Sequence, residues 1–245
     1  MNLKNSKGFT LVEVLFAITI GLLLLGAIFV AVQSGQRSSV AIEAKTTAQQ
    51  DVRAALELMA LEIGMASYNP TFASNSVIWA DLTTTAGQNC SVLTSAPSNP
   101  PWKGFREVTA NSITIEADIN GDGILGSAGQ PNEVIRYVYV TAGGEQYITR
   151  CTCCTTSSTG SGGQPFLGNT IASGMQRVVR VINNTLNIPV FRYFDGRGVE
   201  TATIENIRRI DITLAIETNA IDPNTGQRRR MIYSTSVIPR NHAIN

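Results

Sequence analysis

The chain has little of what usually carries chemistry or a strong electric field. Its 245 residues include one histidine, four cysteines and 7% aromatics, and only 15% are charged. With 19 Lys and Arg against 18 Asp and Glu, the formal charge is +1. No excess of one sign exists, so the basic footprint of a nucleic-acid-binding domain is missing. His242 lies in the C-terminal tail, and no Ser/His/Asp or Cys/His set can be assembled around it. No enzyme is expected. No internal repeat runs through the chain. Its length allows one medium domain plus a long helix.

What is present begins almost at once. From Gly8 to Val32 the chain reads GFTLVEVLFAITIGLLLLGAIFVAV, with Glu13 as its only charge. That is long enough to cross a bilayer as a helix, which takes about 20 apolar residues. A basic leader with Lys4 and Lys7 precedes it. A secretory signal has a shorter apolar core with the cleavage site after it. Here the processing-like punctuation, Lys7-Gly8 before Phe9-Thr10-Leu11, comes first, so cutting there leaves the membrane helix on the mature protein. Lys4 and Lys7 put the leader in the cytoplasm and the C-terminal bulk outside it. Losing them leaves 17 basic against 18 acidic residues, a formal charge of −1. Glu13 is the physically odd residue, because a carboxylate in an apolar helix costs several kcal/mol unless it is paired. Gly21 and Gly26 lower helix propensity by about 1 kcal/mol each, which membrane helices commonly tolerate.

The hexapeptide Gly8-Phe9-Thr10-Leu11-Val12-Glu13 resembles the type IV prepilin signal. The resemblance implies cleavage after Gly8 by a prepilin peptidase and methylation of the new terminal Phe9. It also implies a role for Glu13, the fifth mature residue: pairing with the α-amino group of a neighbouring subunit and so setting the register of helices in an apolar bundle.

Periodicity continues beyond the membrane run. Val52, Ala55, Leu56, Met59, Ala60 and Ile63 recur at spacings of three and four, one apolar stripe of an amphipathic helix. Arg53 and Glu57 fall on another face. Asn69-Pro70 closes the pattern. The spacing predicts one helix from Thr10 to Ser67, roughly 85 Å long. A break near Ser34-Gly35 into two helices is the alternative. After Pro70 come short β-like runs separated by turn residues. Strands are expected at Ser112–Ile115, Val134–Thr141, Glu145–Cys151, Pro189–Phe194, Arg209–Thr218 and Arg230–Ile238. In Arg209–Thr218, Ile210, Ile212, Leu214 and Ile216 alternate with Asp211, Thr213, Ala215 and Glu217, the mark of a sheet with one buried face. Thr155–Gly163 is low-complexity and reads as a mobile loop. The expected fold is α+β, a long N-terminal helix laid on an antiparallel sheet as in the pilin roll. Its parts are a leader (1–8), a transmembrane or filament-core helix (9–34), its amphipathic continuation (35–69) and an exported β-rich domain (70–245).

Size, the strand Phe191–Phe194 before Asp195-Gly196, and the closing Val237–Asn241 further resemble PilW-like minor pilins. Two constellations add chemistry. Asp118, Asn120 and Asp122, with Gly123 sixth, match the opening of an EF-hand calcium loop. The twelfth position is Gly129, so the usual glutamate is missing; Glu133 is the expected substitute and Ile124 the carbonyl ligand. The rival reading is a polar Asx/Gly turn between strands. Cys90, Cys151, Cys153 and Cys154 fit disulfides in an oxidising compartment better than zinc, since C-x-C-C lacks the usual spacer. Cys153 and Cys154 are too close to bond without strain, so a bridge from Cys90 to the Cys151–Cys154 cluster is expected. Arg228-Arg229-Arg230 reads as a hairpin shoulder, and Trp79 and Trp102 as packing residues.

The sequence therefore reads as a minor pilin, processed by a prepilin peptidase, held in the inner membrane and joined to other pilin subunits. The alternatives are a minor pseudopilin of a type II secretion system and a membrane-anchored calcium-dependent adhesin.

Overall fold

The computed structural model describes residues 8–72, 78–79, 103–123, 125–126, 131–152, 163–168 and 178–242. Its first element, α1 (Leu11–Gly64), is one helix of 54 residues, about 81 Å long at 1.5 Å per residue. It does not break at Ser34-Gly35. A Cβ placed on Gly35 meets nothing within 4 Å, so this glycine costs only its propensity of about 1 kcal/mol, too little to interrupt a helix already propagating from both sides. The helix stops at Gly64, three residues before the expected Ser67. Met65 caps it by donating its N–H to the carbonyls of Leu61, Glu62 and Ile63, and Ser67 then turns with φ +66°.

The chain next zips onto a sheet edge: Ser67 N–H donates to the Glu116 carbonyl (2.9 Å) and Asp118 N–H to that of Tyr68 (2.8 Å). Gly104 makes this crossing possible. It sits at φ +81°, and a Cβ there would lie 2.3 Å from the Ser67 nitrogen.

The β residues form two antiparallel sheets where one was expected. The first runs β1 (Phe105–Val108), β2 (Ser112–Glu116), β3 (Val134–Ala142), β4 (Glu145–Thr152) and β5 (Gln164–Gly168) in simple meander order. The second is built on β8 (Arg209–Thr218). β6 (Val179–Val181) pairs with its C-terminal end, β7 (Phe191–Phe194) with its N-terminal end, and β9 (Arg230–Val237) with nearly its whole length. All six expected strands are present, within two residues of their predicted ends. β1, β5 and β6 were not anticipated, being short and lacking clear alternation. Arg180 on β6 bridges the sheets, reaching Glu145 on β4 (3.4 Å) and Glu217 on β8 (3.3 Å).

Both sheets and the second half of α1 share one apolar core. Ala48, Val52, Ala55, Leu56, Met59 and Ile63 of the helix join Phe105, Ile113, Tyr137, Ile148, Phe191, Ile210, Ile212 and Leu214 in a single buried cluster. The stripe read from the sequence is the docking face. From Ala48 to Ala66 the chain and the β-rich domain thus form one packed body.

Candidate processing and assembly site

Residues 8–10, just ahead of α1, are not helical. Gly8 and Phe9 are exposed, Phe9 by 88%, and Thr10 is the N-cap in extended conformation (φ −77°, ψ 150°). Glu13 does not sit within an uninterrupted apolar helix: it is the third helical residue and closes a capping box. Its carboxylate Oε2 accepts from the Thr10 N–H (2.9 Å) and from the Thr10 hydroxyl (3.0 Å), while its own N–H donates to Thr10 Oγ1 (3.3 Å). Two otherwise orphaned backbone donors are satisfied, and an anion lies at the positive end of the helix dipole. Its expected cost is thereby reduced without any second subunit. The signal was in plain view, since Thr-x-x-Glu ahead of an apolar run is the capping-box pattern.

From Leu11 onward α1 is long and apolar enough to span a membrane, and none of its most apolar window is buried. Phe16, Leu23, Leu25 and Phe29 are each more than 60% exposed. That surface is stable only against lipid or against other apolar helices.

The sequence reading missed what holds the other end of the helix. Glu62 faces the core and is nearly buried, and its carboxylate takes a two-pronged contact from Arg150 on β4: Nη2 to Oε1 (2.7 Å) and Nε to Oε2 (3.1 Å). The Tyr137 hydroxyl on β3 also donates to Oε2. Burial and the neighbouring carboxylate hold the Tyr137 phenol far above its ordinary range, and the bond to Glu62 raises Arg150. The signal was faint but real: Glu62 lies three residues after Met59, on the apolar stripe, where a charge needs a partner.

The loop after β2 brings Asp118, Asn120, Asp122 and Glu133 together. Asp118 is fully buried; its Oδ1 accepts from the Gly121 N–H (2.8 Å) and its Oδ2 from that of Gly123 (3.0 Å). Asn120 and Asp122 bond each other, Nδ2 to Oδ2 (2.7 Å) and Asp122 N–H to Oδ1 (2.9 Å). Glu133, 1% exposed, accepts from the N–H groups of Ile119, Asn120 and Gly126. Burial and the charges of Asp122 and Asp118 raise its carboxyl above the usual range, against the pull of those N–H donors. Ile124 lies outside the described residues. Among the described residues no group of three or more His, Cys, Asp or Glu side chains is placed to hold a metal ion. The oxygens of Asp118 and Glu133 accept from backbone N–H groups and Asp122 Oδ2 from the Asn120 amide, so the loop is closed by its own hydrogen bonds.

Cys151 lies one residue before the end of β4 in a buried position. Cys90, Cys153 and Cys154 lie outside the described residues, as do Trp102 and nearly all of Thr155–Gly163. Trp79 is buried. Arg228 reaches the carbonyl of Thr218 (3.3 Å), Arg229 reaches Asp222 (2.7 Å) and Arg230 reaches Glu217 (3.4 Å), as expected of a hairpin shoulder. His242 is buried with Nδ1 against the Lys103 carbonyl (3.0 Å) and Nε2 against that of Ile204 (2.8 Å), pinning the tail.

Compared with known families, residues 3–29 match the prokaryotic N-terminal methylation motif. No curated protein and no solved structure matches the chain. Together with the long exposed helix packed on antiparallel sheets, the motif supports a membrane-anchored type IV pilin-like protein, a pilin or a pseudopilin. Such a signal implies processing by prepilin peptidase and assembly with other pilins, and its bearers are generally structural.

Proposed function

We propose that this protein is a minor pilin of a type IV pilus, a structural subunit that primes or joins filament assembly. It enters the inner membrane as a single span with the leader in the cytoplasm and the β domain outside. Prepilin peptidase cuts between Gly8 and Phe9, and the new Phe9 is N-methylated. The observation that carries the reading is the motif at the start of a helix with one wholly exposed apolar half and one half sunk in a folded domain. In the filament Glu13 exchanges part of its cap for the charged amino terminus of a neighbour, a stronger partner for a carboxylate in an apolar bundle. With Glu13→Val as the only copy, membrane insertion is expected to persist while filament number falls. An unchanged filament count with this variant contradicts the pairing role.

A minor pseudopilin of a type II secretion system has the same signal and helix, and neighbouring genes distinguish the two. A disulfide from Cys90 to the Cys151–Cys154 cluster belongs to the same proposal. So does Ca²⁺ held by Asp118, Asn120, Asp122 and Glu133 with the Ile124 carbonyl. It is supported by the hard oxygen donors and by the mutual charge of the three carboxylates. The adhesin reading rests on that calcium alone and ranks below the pilin.

A further inference from the structure

Five strands stand at sheet margins among the described residues, and four of them are blunted. β1 has four residues and a bulge between Phe105 and Glu107, and β5 has five residues, contains Pro165 and is bulged against β4. β6 has three residues; β7 has four, with its Phe191 N–H already given to the Ala110 carbonyl (3.0 Å). Shortness, bulges and proline are the usual means by which a sheet edge avoids pairing with another chain. β9 has none of them. It runs eight residues in unbroken register with β8, and Met231–Val237 holds neither proline nor charge.

The ladder fixes which groups lie on its outer edge. Thr218 donates its N–H to the Arg229 carbonyl (2.9 Å), and the register continues through Ile216↔Met231, Leu214↔Tyr233 and Ile212↔Thr235. Bonded and non-bonded residues alternate along an antiparallel pair. Met231, Tyr233 and Thr235 therefore bond β8, while Ile232, Ser234 and Ser236 aim N–H and C=O away from it. Among the described residues those three have no backbone partner. Their side chains are exposed too, Ile232 by 58%, and Ile238 just past the strand is 65% exposed.

The direction of β9 decides what can cover this edge. Gln49 Nε2 lies 3.9 Å from Met231 Sδ, and a Cβ on Gly64 would lie 3.9 Å from Val237 Cγ1. The helix between those two contacts is about 22 Å long and the strand about 20 Å, so β9 runs beside α1 in the same direction. Two β9 edges paired antiparallel would turn their helices to opposite directions, which two chains spanning one membrane in the same sense do not allow. Head-to-tail pairing of copies would offer β6 or β7, which are short and, in β7, already bonded. A second copy therefore does not fit, and a strand of a different subunit does.

We propose that the outer edge of β9 accepts an extended strand from a different pilin-like subunit, paired antiparallel through Ile232, Ser234 and Ser236. Each of the three exchanges two backbone bonds with the incoming strand. The added strand carries apolar side chains beside Ile232 and Ile238 and no proline at its bonded positions. This pairing rests on the pilin reading, which supplies the neighbouring subunits.

The test is residue-resolved amide hydrogen exchange of the full-length chain, as a detergent-dispersed monomer and within sheared, assembled filaments. The Ile232, Ser234 and Ser236 amides are expected to slow about tenfold or more on assembly, while those of Met231, Tyr233 and Thr235 are slow in both states. Ser234→Pro removes an outward N–H and spares the β8 ladder. It is expected to melt close to wild type and to reach the assembled fraction about fivefold less, the worth of one lost backbone bond. Ser234→Lys, which keeps the backbone and charges the edge, is expected to show the same deficit. Fast outer amides in an assembled wild-type chain, or normal assembly of both variants, overturn the strand site and leave the pilin reading standing. Slowing in detergent that grows with concentration of the purified chain assigns the edge to a second copy and overturns the different-subunit partner. A wild-type chain absent from every assembled fraction overturns the pilin reading, and the site with it.

Discussion

From Leu11 to Val32, every apolar side chain of α1 is exposed; from Ala48 to Ile63 one apolar stripe of the same helix, Ala48, Val52, Ala55, Leu56, Met59 and Ile63, is buried while Leu58 and Leu61 face outward. The two halves share backbone geometry and have no break between them. What differs is periodicity. The first half is apolar all round, so no face is preferred and none docks on the domain. The second half is apolar along one stripe, and that stripe seals the core of both sheets. One secondary-structure element thus carries two burial programmes. The first is completed only by lipid or other subunits and the second is complete within the chain.

The largest break in that comparison is to cut the helix in the wrong place. A fragment beginning at Thr71 lacks Val52, Leu56, Met59 and Ile63, each of which contributes about 1.5–3 kcal/mol on burial. Their loss is comparable with the whole stability of an ordinary domain, about 5–15 kcal/mol. That fragment is expected to be unfolded by circular dichroism, whereas one beginning at Gly35 is expected to be soluble, folded and cooperative in urea. Equal folding of both fragments would show that the helix merely rests on the sheets.

A smaller break lies at the helix's polar anchor. Glu62→Ala leaves the guanidinium of Arg150 and the hydroxyl of Tyr137 facing a half-closed cavity. The expected loss in the Gly35 fragment is about 3 kcal/mol, at the low end for a buried pair because Arg150 keeps 24% of its side-chain exposure. Glu62→Gln, which keeps the hydrogen-bonding shape, is expected to lose less. Denaturation midpoints in urea decide this, and a change below 0.5 kcal/mol (about the effect of an exposed surface substitution) would reduce Glu62 to a bystander.

Legibility from the sequence followed the strength of local patterning. The 3.6-residue stripe and the period-two alternation of Arg209–Thr218 are local and strong, and both elements appeared where expected. The division into two sheets was not legible, because it depends on which strands pair across long separations. β5 and β6 are short and gain their pairing from β4 and β8. At the candidate site, Gly8, Phe9 and Glu13 stood out as a motif. Yet Glu13's partner within its own chain, Thr10, was overlooked because the glutamate was read as a mid-membrane charge and not as a helix cap. Glu62 was hidden because a lone glutamate on a long helix normally faces water.

The smallest effect concerns the Asp118–Glu133 loop, which sits against Tyr68 and Pro70 just past the end of the helix. Burial holds the Glu133 carboxyl above its unfolded value, so the folded protein favours its protonated form. The stability this confers is present at low pH and is lost as pH rises through the folded value. Metal-free protein is therefore expected to lose stability between mildly acidic and neutral pH, and Glu133→Gln is expected to remove that slope. Calcium is expected to raise the melting temperature at neutral pH by mass action, by about 2.7 kcal/mol of stabilisation at a hundredfold excess over Kd. Asp122→Ala should abolish the rise. Identical melting with calcium and with chelator would leave the loop an Asx turn closed by its own backbone.

The central claim is that the exposed half of α1 becomes the mature N-terminus of an assembling subunit. Intact-mass and N-terminal peptide mass spectrometry of the protein from its native membrane tests this most directly. The account predicts a chain beginning at N-methylated Phe9, with the leader removed, and an uncleaved chain when Gly8→Ala is introduced. A mature wild-type protein that still begins at Met1, or that is cut after the apolar run instead of before it, would contradict the account.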